Sequence, residues 1–158
     1  MDIRHRNNVN VVGNGSSTLV FSHGFGCNQA MWNYLLPYFV ERFRVVLYDL
    51  VGADLSDPAA YNKAKYATLE GYAADLNEII DGFASGPVIL VGHSVSAMIG
   101  TLADRAAPGR IAAHVMIGPS PAISMPTTTW VGSSPKISSR CSTPSTATTW
   151  VGPAPWLR

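Results

Sequence analysis

Val88–Val91 (VILV) runs directly into Gly92-His93-Ser94-Val95-Ser96 and then into a segment with helical patterning. That junction constrains the fold more than any other feature of the chain. A short, wholly apolar run is what a strand buried on both faces of a parallel sheet requires. Downstream, Val95, Met98, Ile99, Leu102 and Ala106 recur at helical spacing until Pro108-Gly109 stops them. A buried strand that passes through small residues into an amphipathic helix is half of a βαβ unit.

The rest of the front segment repeats the alternation. Thr18–Ser22 (TLVFS) is an apolar strand candidate that opens into the loop His23-Gly24-Phe25-Gly26. Arg44–Asp49 (RVVLYD) is rich in β-formers. Residues 69–83 predict a helix. Leu69, Tyr72, Ala73, Leu76, Ile79, Ile80 and Phe83 share one face, and Glu70, Ala74, Asp75, Glu78 and Asp81 are expected to meet water. Residues 29–40 (QAMWNYLLPYFV) also read as helical, although Pro37 weakens the pattern beyond Leu36. Ile111–Ile117 (IAAHVMI) predicts a further strand. Strands separated by helices in this way predict an α/β fold with a doubly wound, mostly parallel sheet.

Composition narrows the function classes. With 158 residues, one domain is expected, and 47% apolar residues suffice for a core. Eleven basic and ten acidic groups leave a net charge of +1, which supplies no electrostatic footprint for nucleic acid or an acidic membrane. Two cysteines, Cys27 and Cys141, exclude a disulfide framework and a cysteine-cluster metal site. Nothing calls for a cofactor or a metal. The polar N-terminus does not read as a signal or transit peptide, and no apolar run reaches the roughly 18 residues of a membrane span. The expectation is a soluble cytoplasmic protein, with the nucleus as the alternative.

All ten acidic residues lie at or before Asp104, and the pattern changes after Pro121. Residues 122–158 hold seven Ser, seven Thr and five Pro, with no useful periodicity. The pentapeptide TTWVG occurs at 128–132 and again at 148–152, too few copies for a solenoid. The expectation is therefore residues 1–121 as one folded unit and 122–158 as a disordered Ser/Thr/Pro-rich segment, with its tryptophans able to dock on apolar surface. A change of reading frame, a splicing difference or a faulty gene model would each produce such a junction.

The chemistry lies in two loops. Gly92-His93-Ser94-Val95-Ser96 sits where a nucleophile elbow would, with a tight strand–turn–helix lifting the Ser94 hydroxyl to the top of the sheet. The helix N-terminus behind it offers free N–H groups and positive potential. The general pattern has Gly two residues after the serine; here Ser96, nearly as small, stands there. The alternative is that Ser94 merely caps the helix. In His23-Gly24-Phe25-Gly26, the flanking glycines let the backbone approach a carbonyl closely. Elbow sites take one oxyanion donor from the residue after the nucleophile and one from an earlier strand's loop, which points to the N–H groups of Val95 and Phe25. The alternative for this loop is an ordinary turn.

Together these residues resemble the α/β-hydrolase superfamily, and within it the karrikin- and strigolactone-receptor group of esterases. The matching stretches are VVGNGSSTLVFSHGFGCNQAMWNYLLPYF, FRVVLYDLVGADLSD, KYATLEGYAADLNEIID, VILVGHSVSAMIG and MIGPSP, from about Asn10 to Pro121. Asp54 is a local departure, standing where many relatives have a small residue. The resemblance implies a Ser-His-Asp hydrolase and receptor with a butenolide-type ligand under a helical lid. It also implies protein partners in signalling.

Against that implication stands the rest of the triad. In this fold the acid and the histidine follow the serine in the chain. Downstream of Ser94 the only carboxylate is Asp104 and the only histidine His114, and neither has the expected context. Asp104 lies about 15 Å along the helix from Ser94 at 1.5 Å per residue. His93 adjoins Ser94 through a sharp turn, His23 belongs to the loop it would shape, and His5 sits in a floppy N-terminus. The expectation is an incomplete hydrolase fold, without lid or later strands, and an inactive chain. Losing the histidine of such a triad costs on the order of 10⁶ in kcat and leaves about 10³–10⁴ over water. A non-catalytic fragment or interaction remnant is the alternative. Three weaker signals read as structural. Gly13-Asn14-Gly15 is a turn between two strands; Met31, Trp32, Tyr34 and Leu35 are core; Cys27 is an unreactive thiol.

Overall fold

The computed structural model describes residues 2–119, so the expectations for 122–158, Cys141 included, lie outside the described residues. Five strands form one sheet in the order β1-β3-β2-β4-β5: β1 (Asn10–Val12), β2 (Thr18–Ser22), β3 (Arg44–Tyr48), β4 (Val88–His93) and β5 (Ile111–Ile117). β1 runs antiparallel to β3, and every other pair is parallel. The α/β class and the mostly parallel sheet are as the sequence predicts.

Each face of the sheet carries its own apolar layer. Alternate residues of β2, β3 and β4 (Val20, Val46, Tyr48, Val88 and Leu90) pack against α2 (Leu69–Phe83) and α3 (Val95–Ala106) through Leu76, Ile79, Ile80 and Ile99. The other set, including Leu19, Phe21, Val45, Leu47 and Val91, packs on Trp32 and on the partly buried Leu36 and Phe39. Burial on both faces explains why these strands read as continuous apolar runs.

Five sequence expectations are corrected. Residues 29–40 do not form one helix. They form two short 3₁₀ turns, Gln29–Trp32 and Leu36–Tyr38. Pro37 lacks an N–H and its ring would clash with the carbonyl four residues back, so the segment closes through i→i+3 bonds such as Leu35 N–H to Trp32 O (2.8 Å). Of its apolar side chains Trp32 is core, but Tyr34 is 90% exposed and Leu35 is surface.

The N-terminus is ordered. α1 (Ile3–Arg6) is capped by the Asp2 side chain, which accepts from Arg4 N–H. His5 therefore lies in a helix. The buried Arg6 reaches Glu78 Oε2 at 2.8 Å and Asp75 Oδ1 at 3.1 Å. Asp75, expected at the surface of its helix, is buried for the same reason. It also takes Lys65 Nζ at 2.6 Å and the Tyr66 hydroxyl at 2.8 Å. Burial and the adjacent Asp75 push the Tyr66 phenol up, so it stays a donor.

Gly13-Asn14-Gly15 joins β1 to β2, but these two strands are not neighbours; β3 lies between them. The link crosses over the entry to β3 so closely that a Cβ on Gly15 would sit 2.1 Å from Arg42 O. Close approach, rather than a hairpin turn, requires the glycine.

Candidate nucleophile elbow and facing loop

Ser94 joins β4 to α3 with φ 55° and ψ −118°, a conformation L-residues adopt only under constraint. Its backbone N–H is tied to Ile117 O at the end of β5 (2.9 Å). It occupies the N-cap position, yet its side chain makes no capping hydrogen bond, which removes the capping alternative. The turn fits only because residue 92 is glycine. A Cβ on Gly92 would lie 2.8 Å from Ser96 O and 2.9 Å from Ala97 N. Ser96 itself is fully buried.

The loop after β2 meets this turn directly. A Cβ on Gly24 would stand 2.5 Å from His93 Nδ1 and 3.2 Å from Ser94 Cβ, so only glycine lets the loop lie against the elbow. Cys27 N–H donates to Gly24 O (3.2 Å), which places Phe25 and Gly26 at the corner of a turn, with Gly26 at φ 73°. The Phe25 ring is 90% exposed and Cys27 is half-buried.

His23 fixes the loop from below. Its Nε2 accepts the Leu50 N–H at 3.0 Å, so its proton sits on Nδ1, which donates to Gly24 O at 2.8 Å. Both ring nitrogens are thereby engaged, and His23 has no free nitrogen to serve as a base. The peptide links here are all trans. With the Gly24 carbonyl held by His23 and Cys27, the Phe25 N–H at the other end of that planar unit points the opposite way.

Asp49, fully buried beside His23, anchors the flank of the loop. It accepts from Gln29 N (2.9 Å), Gln29 Nε2 (3.1 Å) and Asn8 Nδ2 (2.8 Å). Asp54, the departure noted in the sequence, sits at φ 40° and accepts from Asn28 Nδ2 (3.0 Å), bridging the loop after β3 to the segment following the Phe25 turn.

The remaining histidines do not complete a triad with Ser94. Burial, with a smaller contribution from His23, lowers the His93 pKa, and its Nδ1 is buried without a partner against Gly24. His114 lies in β5 opposite Leu90 and abuts α3, where a Cβ on Gly100 would meet its Nε2 at 2.8 Å. Burial lowers its pKa as well, partly offset by Asp104. Among the described residues no group of three or more His, Cys, Asp or Glu could hold a metal ion, and no helix is long and apolar enough to cross a membrane.

Sequence reading missed Ser22 and Tyr48. The register aligns Ser22 with Tyr48 on one side and with Gly92 on the other. Ser22 Oγ and Tyr48 Oη lie 2.6 Å apart, and Ser22 Oγ donates to Ser96 Oγ at 2.8 Å. Ser96 Oγ donates in turn to His23 O at 2.5 Å. The available signal was that two apolar runs, TLVFS and RVVLY, both end on a hydroxyl.

A covered, mostly parallel sheet with a strained strand–helix junction faced by a glycine-lined loop is the architecture of the α/β-hydrolase class. Comparison with known proteins agrees. The model of the family described as "Alpha/beta hydrolase family" matches residues 19–158, a match that runs past Pro121. The chain belongs to that family. It is 41% identical over 119 residues to karrikin insensitive 2 receptor CA of Petunia hybrida, covering 75% of this chain and 44% of that protein. It is 45% identical over 114 residues to a strigolactone esterase of Arabidopsis thaliana, covering 72% and 43%. Among solved structures, a hydrolase from Oleispira antarctica superposes with a TM-score of 0.72 at 41% identity, covering 76% of this chain and 44% of that one. The chain thus spans less than half the length of these relatives.

Proposed function

We propose that these residues form the nucleophile-and-oxyanion half of an ester-hydrolysing receptor site. Ser94 Oγ attacks the carbonyl carbon of a small, largely apolar ester or butenolide-type lactone, its proton passing to water, and the ester C–O bond then breaks with the departing alkoxide taking a proton from water. The carbonyl oxygen, gaining negative charge, is taken by the N–H groups of Phe25 and Val95, the latter at the positive end of α3. His23, Gly24, Gly26, Gly92, His93 and Ser96 shape the two halves. The exposed Phe25 ring offers an apolar contact at the mouth. The ligand class rests on the karrikin and strigolactone in the relatives' names, and signalling partner proteins belong to the same proposal.

The observation that carries this reading is Ser94 at φ 55° with no capping bond, pressed against Gly24. A serine that only ended a helix would have no reason to be strained. Without a base its hydroxyl stays protonated and weakly nucleophilic. Turnover by this chain is therefore expected to be slow, with reactivity supplied by positioning and the two amides.

Prolonged labelling with a fluorophosphonate, read by peptide mass spectrometry, tests it. The expected result is slow modification concentrated on Ser94 and lost in Ser94→Ala. Modification spread evenly over the serines, or none at Ser94, would overturn the reading in favour of a non-catalytic fragment.

A further inference from the structure

The two proposed oxyanion donors belong to different elements. Val95 N–H is on α3 and Phe25 N–H is on the loop after β2. Something must hold them at a fixed separation, because a donor about 1 Å out of place can cost on the order of 10² in rate. Resting on the reading above, we propose that Ser96 is the positioning residue that sets this separation, through its hydroxyl bond to the His23 carbonyl.

Ser96 is two residues beyond Ser94, in the first turn of α3, and is therefore rigidly related to Val95. Its Oγ–H donates to His23 O at 2.5 Å, one peptide before the Gly24–Phe25 unit. The bond ties the helix side of the site to the loop side across 73 residues of sequence. Its direction is fixed by counting protons. Each hydroxyl has one. Ser96 commits its proton to His23 O, so it must accept from Ser22 Oγ (2.8 Å). Ser22 then has none left and accepts from Tyr48 Oη (2.6 Å). Tyr48, Ser22 and Ser96 are all buried, so each unmade bond would carry a full desolvation cost. The chain runs from β3 through β2 to the elbow and ends on the loop.

This account also explains why a hydroxyl at position 96 is useful where the general elbow pattern has Gly. Gly would satisfy the crowding at Gly92 but would leave His23 O without its partner. With Ser96 holding the peptide at His23 and the His23 ring holding the one at Gly24, both peptide planes leading to Phe25 are held by hydrogen bonds.

The test compares a dialkyl fluorophosphate with its P=S analogue on the full chain. In each case the Ser94 Oγ–P bond forms, the P–F bond breaks, fluoride leaves with the electron pair, and the hydroxyl proton passes to buffer. Oxygen is a good acceptor for the two amides and sulfur a poor one. The ratio of the two rates therefore reports on the amide pair, while a general loosening slows both reagents alike. Ser96→Ala and Ser96→Gly are expected to lower the P=O rate about 10- to 100-fold and to collapse the P=O/P=S ratio. Tyr48→Phe, which removes only the far end of the chain, is expected to lower it about threefold to tenfold. If the Ser96 variants do not fold, Tyr48→Phe carries the same test alone. An unchanged ratio with Ser94 still modified would overturn the role of Ser96 and leave the site intact. So would an equal fall with both reagents. A wild-type Ser94 that reacts with neither reagent would remove the site and the role of Ser96 together.

Discussion

β2 and β5 belong to the same sheet but live in different surroundings. All five residues of β2 are buried, covered on one face by the helix layer and on the other by Trp32 and Phe39. All seven residues of β5 are half-buried, and in the described residues it pairs only with β4. The polar groups differ in the same way. At the end of β2, Ser22 and His23 have their hydrogen bonds met, whereas His114 in β5 keeps a buried Nε2 without a partner. Both loops of the candidate site grow from the well-packed centre, off β2 and β4. The geometry at Ser94 is thus built on the most secure part of the molecule, and β5 contributes the Ile117 carbonyl that holds Ser94 N–H.

The contrast can be broken most forcefully by cavities. Leu19→Ala, at a buried position of β2, is expected to destabilise by about 2–5 kcal/mol in urea unfolding. Val115→Ala, half-buried in β5, should cost about 1 kcal/mol. Equal costs would erase the distinction between the strands. The next effect has the opposite sign. Ser94→Gly relieves a conformational cost of roughly 1–3 kcal/mol and incurs about 0.5–1 kcal/mol of glycine entropy. The variant should unfold at higher urea than wild type while losing fluorophosphonate labelling. Ser94→Ala keeps the strain and should gain nothing.

The smallest effect is in pH. His114 and His93 have folded pKa values lowered by burial, so the unfolded chain takes up protons first as pH falls below about 6.5. Their contribution to stability is complete above that pH. It is lost as pH drops toward the folded values. Urea midpoints measured from pH 7 to pH 5 should decline, and His114→Leu should flatten the slope without abolishing it, since His93 remains. A slope unchanged by that substitution would show that β5 is not the source.

Much of this was legible in the residues because packing and periodicity coincide there. α2 and α3 begin and end where the apolar spacing and the Pro-Gly stops place them, and β2, β3 and β5 fall on their apolar runs. The strand–turn–helix succession placed Ser94 at the β4–α3 junction, and the glycines around Phe25 marked the loop that the fold sets against it. What stayed hidden depends on contacts distant in sequence. Asp75 looks like a surface carboxylate until Arg6, 69 positions away, folds onto it. Residues 29–40 keep helical spacing while Pro37 denies them a continuous helix. Ser22 and Tyr48 become meaningful only when parallel register sets them side by side, which no local pattern encodes.

The central claim is that the serine at position 94 and the amides of residues 25 and 95 converge on one oxygen. A crystal structure of the Ser94 phosphonyl adduct measures this directly. The account predicts the phosphoryl oxygen within about 3 Å of both Phe25 N and Val95 N. An adduct whose oxygen faces solvent, or reaches only one of the two nitrogens, would contradict it.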